Sequence, residues 1–405
     1  MSTSPPRRKV LTRPPVVAWA LTDWANSAFA TTVMAGFFPV FFKQYWNAGV
    51  AVAVLAPMLG ALADRGGSRV RMLIAFTLLG AAGTVALGFV AQGQWIAASA
   101  CYLVASLGFW GGIVFGDSLL LHVAEPDEYD LVSGYGYSLG YLGGGLLFAV
   151  NVLMTLKPGW FGLADVADAV RWSFVSVGVW WVVFALPCAF LVRERGARPA
   201  PAPFRTMVRQ AFAELGRTAR DIVGRRHVLW FLLAYVIYID GVNTVIKMAV
   251  DYGLSLGFEQ SQLVLALLLT QFVAFPAALA FGWLGGRIGA PAGIFIALAV
   301  YVAATGYAYF MDDARDFYVL AVTIGLVQGG IQSLSRSHYG SLVPPEKSSE
   351  YFGFYNMVGK ASAIVGPALV GVTAAVTGDS RLAILSILVL FVAGGTLLAI
   401  ATRRR

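Results

Sequence analysis

The sequence predicts an all-α, polytopic membrane protein of about twelve transmembrane helices, built as two six-helix pseudo-repeats. Three observations carry this. Of 405 residues, 58% are hydrophobic and only 12% charged, against roughly 25% charged in a soluble domain. Apolar runs of helical length fall into two sets of six. The basic residues sit in short strips between those runs. So few charges cannot cover the surface of a soluble protein this size. A soluble globular enzyme, a disordered chain and a disulfide scaffold are therefore excluded. Twelve spans need about 240 residues, which the length accommodates.

Residues 1–17, beginning MSTSPPRRKVLTRPP, form a basic tail. No small-residue cleavage site with the right flanks follows, so it reads as a cytoplasmic tail entering a retained first helix. The N-terminal six-helix bundle occupies 18–192, with runs near 18–42, 47–63, 70–92, 95–121, 134–156 and 170–192. Only KQYWN separates the first two runs. The second helix is therefore unusually short, about 17 residues, the lower limit for crossing lipid. Either it is short and steep, or part of this region is missing from the chain. Residues 193–226 form a cytoplasmic linker, first Ala/Pro-rich and then basic and amphipathic. Ala211, Leu215, Ala219 and Ile222 share one helical stripe, as in a helix lying on the membrane surface or a solvated linker helix. The C-terminal six-helix bundle, 227–405, has runs near 227–250, 260–284, 290–311, 316–339, 351–375 and 380–401.

The net charge of +8 is a topology signal, not a nucleic-acid face. The tail, the 2–3 loop (Arg65, Arg69, Arg71), the linker with its nine arginines and the C-terminal Arg403–Arg405 share one side. Asp165, Asp168, Asp251, Asp312, Asp313, Asp316 and Asp379 fall on the other. The EPDEYD segment is an acidic exception on the basic side. Both termini are expected to be cytoplasmic. Cys101 and Cys188 lie inside apolar runs without metal-ligand spacing, so neither a disulfide nor a metal site is expected. His122, His227 and His338 sit at helix ends and supply no catalytic or metal constellation. Not an enzyme, then, and no cofactor is expected.

The 45 glycines mark helix contacts. Gly136, Gly140 and Gly144 recur every four residues, as do Gly359, Ala363 and Pro367, so neighbouring helices can approach closely. The first run holds Asp23 and Asn26, and the seventh holds Asp240 and Asn243, 217 residues later. Gly134 with Gly353, and Gly140 with Gly359, are offset by 219. A duplicated six-helix unit explains both, and parallel repeats of this kind characterise one transporter class.

Carboxylates and amides inside hydrocarbon are costly and rarely face lipid. Three residues along a helix is nearly one face, so Asp23 and Asn26 are expected to point together, as are Asp240 and Asn243, with Lys247 on the same stripe. Gln328, Gln332 and Arg336 recur every four residues, as do Asn356 and Lys360. These ten residues are the candidates for a polar cavity binding solute or coupling ion. The alternatives are interhelical hydrogen bonding for the acids and amides, and snorkelling to the interface for Arg336 and Lys360.

The second run ends GALADRGGSR. Gly60, Asp64, Arg65, Gly67 and Arg69 can close the cytoplasmic face in one conformation and release it in another. This cluster resembles the Gly-x-x-x-Asp-Arg-x-Gly-x-Arg signature of the major facilitator superfamily, which implies switch roles for Asp64, Arg65 and Arg69. The counterpart GWLGGRIGA keeps Gly282, Arg287 and Gly289 but has Gly286 in place of the acid. DWANSAFATTV, SGYGYSLGYLGGGLL, FLLAYVIYIDGVNTVI and FGFYNMVGKASAIVGP further resemble the vacuole-effluxer-like branch, which includes the fungal autophagy-related vacuolar amino-acid exporter and bacterial relatives. That resemblance implies a twelve-helix permease in the bilayer, a secondary active transporter moving a small polar solute, such as an amino acid in efflux; the acids within the membrane, which could be neutral in one state, make a proton the candidate coupling ion. The permease would sit in a bacterial inner membrane and work as a monomer. The alternative is a transporter-derived membrane scaffold or sensor. No P-loop is present, so an ATP-driven pump is not expected.

Overall fold

The computed structural model describes residues 7–38, 68–194 and 216–403. Within them the chain is helical with short connections. After a single helical turn at Arg7–Val10, the first long helix, α1, runs Pro14–Ala28 and continues as π-helix over Phe29–Phe37. Then follow α2 (Arg69–Leu87), α3 (Trp95–Val123), α4 (Tyr129–Leu156) and α5 (Val166–Leu191). The second half has α6 (Arg226–Ser255), α7 (Gln260–Ile288), α8 (Ala290–Ala308) and α9 (Ala314–Leu342). It ends with α10 (Ser348–Ala361), α11 (Val365–Thr377), α12 (Ser380–Leu385) and α13 (Leu388–Arg403). Ten segments among the described residues are long and apolar enough to cross a membrane, α10–α11 and α12–α13 each counting as one. The second apolar run, and with it the expected short second helix, lies outside the described residues.

Helix starts follow from local chemistry. Asp165, Asp313 and Asp379 accept backbone N–H bonds at the starts of α5, α9 and α12, and Glu259 with Gln262 forms a capping box on α7. Such caps satisfy amides that have no partner within the helix. Several of the acids on the acid-rich side are therefore helix caps. Between α7 and α8 a single residue turns the chain, Gly289 at φ +87°, a conformation that strains any residue with a Cβ.

The eleventh run differs from a continuous span. It breaks at a 3₁₀ turn, Ser362–Ile364, and restarts so that Pro367 falls in the first turn of α11, where a missing N–H is tolerated. Pro367 therefore belongs to a helix restart rather than to a packing stripe. Large apolar side chains such as Phe89, Phe190 and Val376 are at least 74% exposed, as expected of a lipid-facing perimeter and not of a water-soluble monomer.

The glycine stripe of α4 packs as the sequence predicts. A Cβ at Gly140 or Gly144 would stand 2.7–2.8 Å from the Ser27 or Thr31 hydroxyl of α1. Between the halves, α4 lies against α7 and α9, and α3 against α10. Described residues of the basic strips lie at one end of the bundle. There Arg13 pairs with Glu128, Ser68 donates to Glu194 at 2.5 Å, and Arg69 Nε reaches Ser349 Oγ at 2.8 Å.

The linker segment 216–224 is helical. It docks on α10 and is not simply solvated. Thr218 donates to Glu350, Tyr351 donates to Asp221 at 2.6 Å, and Ile222 is 4% exposed in the core.

Candidate functional site

A buried charge cluster joins the two halves. Arg336 enters from α9, six residues before its end, and its side chain is 2% exposed. Nη1 donates to Asp23 Oδ2 on α1 and to Asp117 Oδ1 on α3, both at 3.0 Å. Nη2 donates to Asp23 Oδ2 and to the Ser133 carbonyl, both at 3.0 Å, and Nε donates to Ser133 Oγ at 2.9 Å. A guanidinium has five N–H donors, and this one spends all five on the N-terminal half. Its planar face lies 4.3 Å from the centre of the Tyr137 ring. Asn356 on α10 extends the cluster, donating to Asp117 Oδ2 at 2.9 Å. The interface reading for Arg336 therefore does not hold. A cation so buried is retained only because carboxylates and oriented acceptors replace its water.

From this cluster a ladder of bonds follows α4 and α9. Ser337 donates to Asp130, Ser133 to the Ser333 carbonyl at 2.8 Å, and Tyr141 to Gln332 at 2.7 Å. Gln328 lies near the same Tyr141 hydroxyl. Further along, Gln271 reaches Thr31 at 2.7 Å. The halves are thus bonded from the basic end inward.

The pseudo-repeat is not symmetric in use. Asp23 pairs across the halves, whereas Asp240 accepts from the Gly366 N–H at 2.7 Å and caps the restarted helix α11. Asn26 does not point with Asp23. It accepts from Trp181 Nε1 at 2.5 Å inside the N-terminal half. Asn243 does share a direction with Asp240, reaching the Gly359 carbonyl beside the same break at 3.5 Å. Lys247 lies within the electrostatic reach of Asp240. Lys360 places Nζ 3.3 Å from the centre of the Trp110 ring, so it too crosses between halves.

Of the expected gate, Gly60, Asp64, Arg65 and Gly67 lie outside the described residues. Arg69 is 7% exposed and ties the start of α2 to Ser349 of the second half. Its backbone N–H and guanidinium, with Ser68 and the Val70 N–H, also hold Glu194. Burial opposes ionisation of Glu194, yet these donors outweigh it and keep its pKa below the ordinary carboxylate value. Stability from this group is therefore present above the unfolded value and lost as pH falls through the lower folded value. Glu194→Gln is expected to melt lower at neutral pH and to lose part of the wild-type decline seen as pH falls below the ordinary carboxylate range, as read from melting curves across pH.

Asp117, Ser133 and Tyr141 were not singled out by sequence reasoning. Asp117 carried the same signal as Asp23, an acid inside an apolar run, but had no acidic counterpart in the repeat to draw attention to it.

Comparison with known proteins agrees with this architecture. The family described as "Vacuole effluxer Atg22 like" matches residues 48–128 and 122–405. The MFS-type transporter YxiO of Bacillus subtilis is 36% identical over 403 residues, covering 94% of this chain and 93% of that protein. Autophagy-related protein 22-1 of Aspergillus niger is 28% identical over 280 residues. That alignment covers 64% of this chain and 45% of the fungal protein. The crystal structure of the human organic anion transporter MFSD10 superposes with a TM-score of 0.72 at 15% identity, over 98% of this chain and all of that one, and shows the shared fold. The chain therefore belongs to the vacuole effluxer Atg22-like family, and is a multi-pass membrane transporter of the major facilitator type and not an enzyme.

Proposed function

We propose that this transporter exports a small polar solute, an amino acid, by alternately opening its two halves, with a proton as coupling ion. One observation carries the reading: the Asp23–Arg336–Asp117 cluster lies between the halves and draws its opposite charges from opposite sides of the interface. Rocking the halves apart at this end must separate those charges, and something charged or polar must then replace each partner. A zwitterion does so at both signs. The basic end is assigned to the cytoplasm of a bacterial inner membrane, following the basic-residue bias, with both termini inside. On this reading the end that is closed here faces the cytoplasm, Arg69 acts as a gate residue, and the transporter works as a monomer.

Reconstitution in liposomes tests this. Saturable amino-acid flux that responds to an imposed pH gradient is expected, with Asp23→Asn reducing it at least about 10-fold while the protein remains folded, as for loss of one charged hydrogen bond. Flux indifferent to the gradient removes the proton. Flux unchanged in both Asp23→Asn and Asp240→Asn removes the transport role of these carboxylates and favours a scaffold.

A further inference from the structure

Trp110 and Asp117 stand seven residues apart on α3, two turns along one face. Asp117 is 5% exposed, and both its oxygens are taken by the opposite half: Oδ1 by Arg336 and Oδ2 by Asn356. Trp110 is likewise covered from the opposite half, its ring holding the Lys360 ammonium at 3.3 Å. Asn356 and Lys360 are one turn apart on α10. One face of α3 thus offers a ring and a carboxylate, and α10 fills the ring and shares the carboxylate with Arg336 of α9.

We propose that the Trp110 ring face forms the subsite for the primary ammonium group of the transported solute, with Lys360 standing in for that group on the ring while the halves are closed, and that Asp117, two turns along the same face, supplies the negative charge that draws this cation into the opened interface. The proposal rests on the transport reading above and specifies how the solute is recognised. A ring face and a carboxylate donate nothing, and together they suit a cation with several N–H donors. Lys360 carries the same group that an amino acid carries at its α-carbon. When the halves part, Arg336, Asn356 and Lys360 leave with the C-terminal half. Asp117 is then a carboxylate without a partner and Trp110 an uncovered ring. A solute ammonium restores the ring contact directly and balances the Asp117 charge from a short distance along the same face. The same movement frees the five donors of Arg336 for the solute carboxylate. Solute and lock therefore compete for the same groups, which couples binding to opening.

The test is counterflow in liposomes with leucine, arginine and glutamate, each against its des-amino analogue, for wild type, Trp110→Ala, Trp110→Phe and Asp117→Asn. Wild type is expected to favour an amino acid over its des-amino analogue by about 100-fold or more, because the analogue leaves buried acceptors unpaired. Trp110→Ala and Asp117→Asn should shrink that ratio at least about 10-fold, whereas Trp110→Phe should keep most of it. Should Asp117→Asn fail to fold, Trp110→Ala decides alone, since Trp110 makes no bond within the Arg336 cluster. Equal wild-type flux of the paired solutes, or an unaltered ratio in the variants, overturns the inference and leaves amino-acid transport standing. Absence of wild-type flux for all three amino acids contradicts the amino-acid reading itself, and the inference falls with it.

Discussion

Replacing Arg336 with glutamine is expected to destabilise the protein by about 3–5 kcal/mol and to abolish transport. The magnitude is that of removing one partner from a buried ion pair. Asp23 and Asp117 would be left facing each other with no counter-charge, and Ser133 would lose the donors to its hydroxyl and carbonyl. Lysine at this position keeps the charge but supplies three donors from one point where the site holds a planar fork, so Arg336→Lys should recover part of the stability and little of the transport. Adding Asp23→Asn and Asp117→Asn to Arg336→Gln should relieve the uncompensated charge and raise the melting temperature again without restoring flux. Melting curves of the purified variants beside liposome counterflow separate these outcomes. Recovery of both in the triple variant would mean that the cluster serves folding alone.

The second large effect is expected at Gly134, where α4 and α7 touch by backbone. A Cβ there would stand 2.8 Å from both the Ala278 carbonyl oxygen and the Gly282 Cα. Neither atom can rotate away, so a larger residue must push the helices apart. Gly134→Val is expected to cost about 1–3 kcal/mol in the closed arrangement. The ladder beside it, Ser133 to Ser333 and Asp130 to Ser337, should stretch with it. Because the penalty falls on the closed state, a shift of about 5- to 150-fold toward the arrangement open at the basic end should follow. Faster labelling of a cysteine introduced at buried Ser118, which bonds Ser349 at 3.3 Å across the same end, would report it. Labelling at the wild-type rate would show that the contact is indifferent to the opening.

Much of the architecture was legible because lipid imposes one rule on every span: about twenty apolar residues with internally bonded backbone. Basic strips then located one end, and the four-residue glycine spacing located the α1–α4 contact. The site was legible only as a set of polar residues. Spacing placed Asp23 and Asn26 on one stripe, yet they diverge, because α1 packs between Arg336 on one side and Trp181 on the other. Repeat symmetry assigned Asp23 and Asp240 equal roles, but α11 restarts beside Asp240 and takes its carboxylate as a cap. Arg336 resembled an interface residue because only six positions follow it in its helix. Its burial depends on three helices of the other half, which no local pattern records. Asp117 escaped notice for the same reason, its importance coming from α9 and α10.

The central claim is that the Arg336 cluster holds the halves together at the basic end. It is tested most directly by the distance between spin labels at Asp127 and Pro345, both exposed on opposite halves at that end, in a background with Cys101 and Cys188 replaced. Wild type is expected to give one short, narrow distance distribution. Arg336→Gln is expected to add a longer, broader population, as is saturation of wild type with a transported amino acid. Identical distributions in wild type and Arg336→Gln would contradict the account.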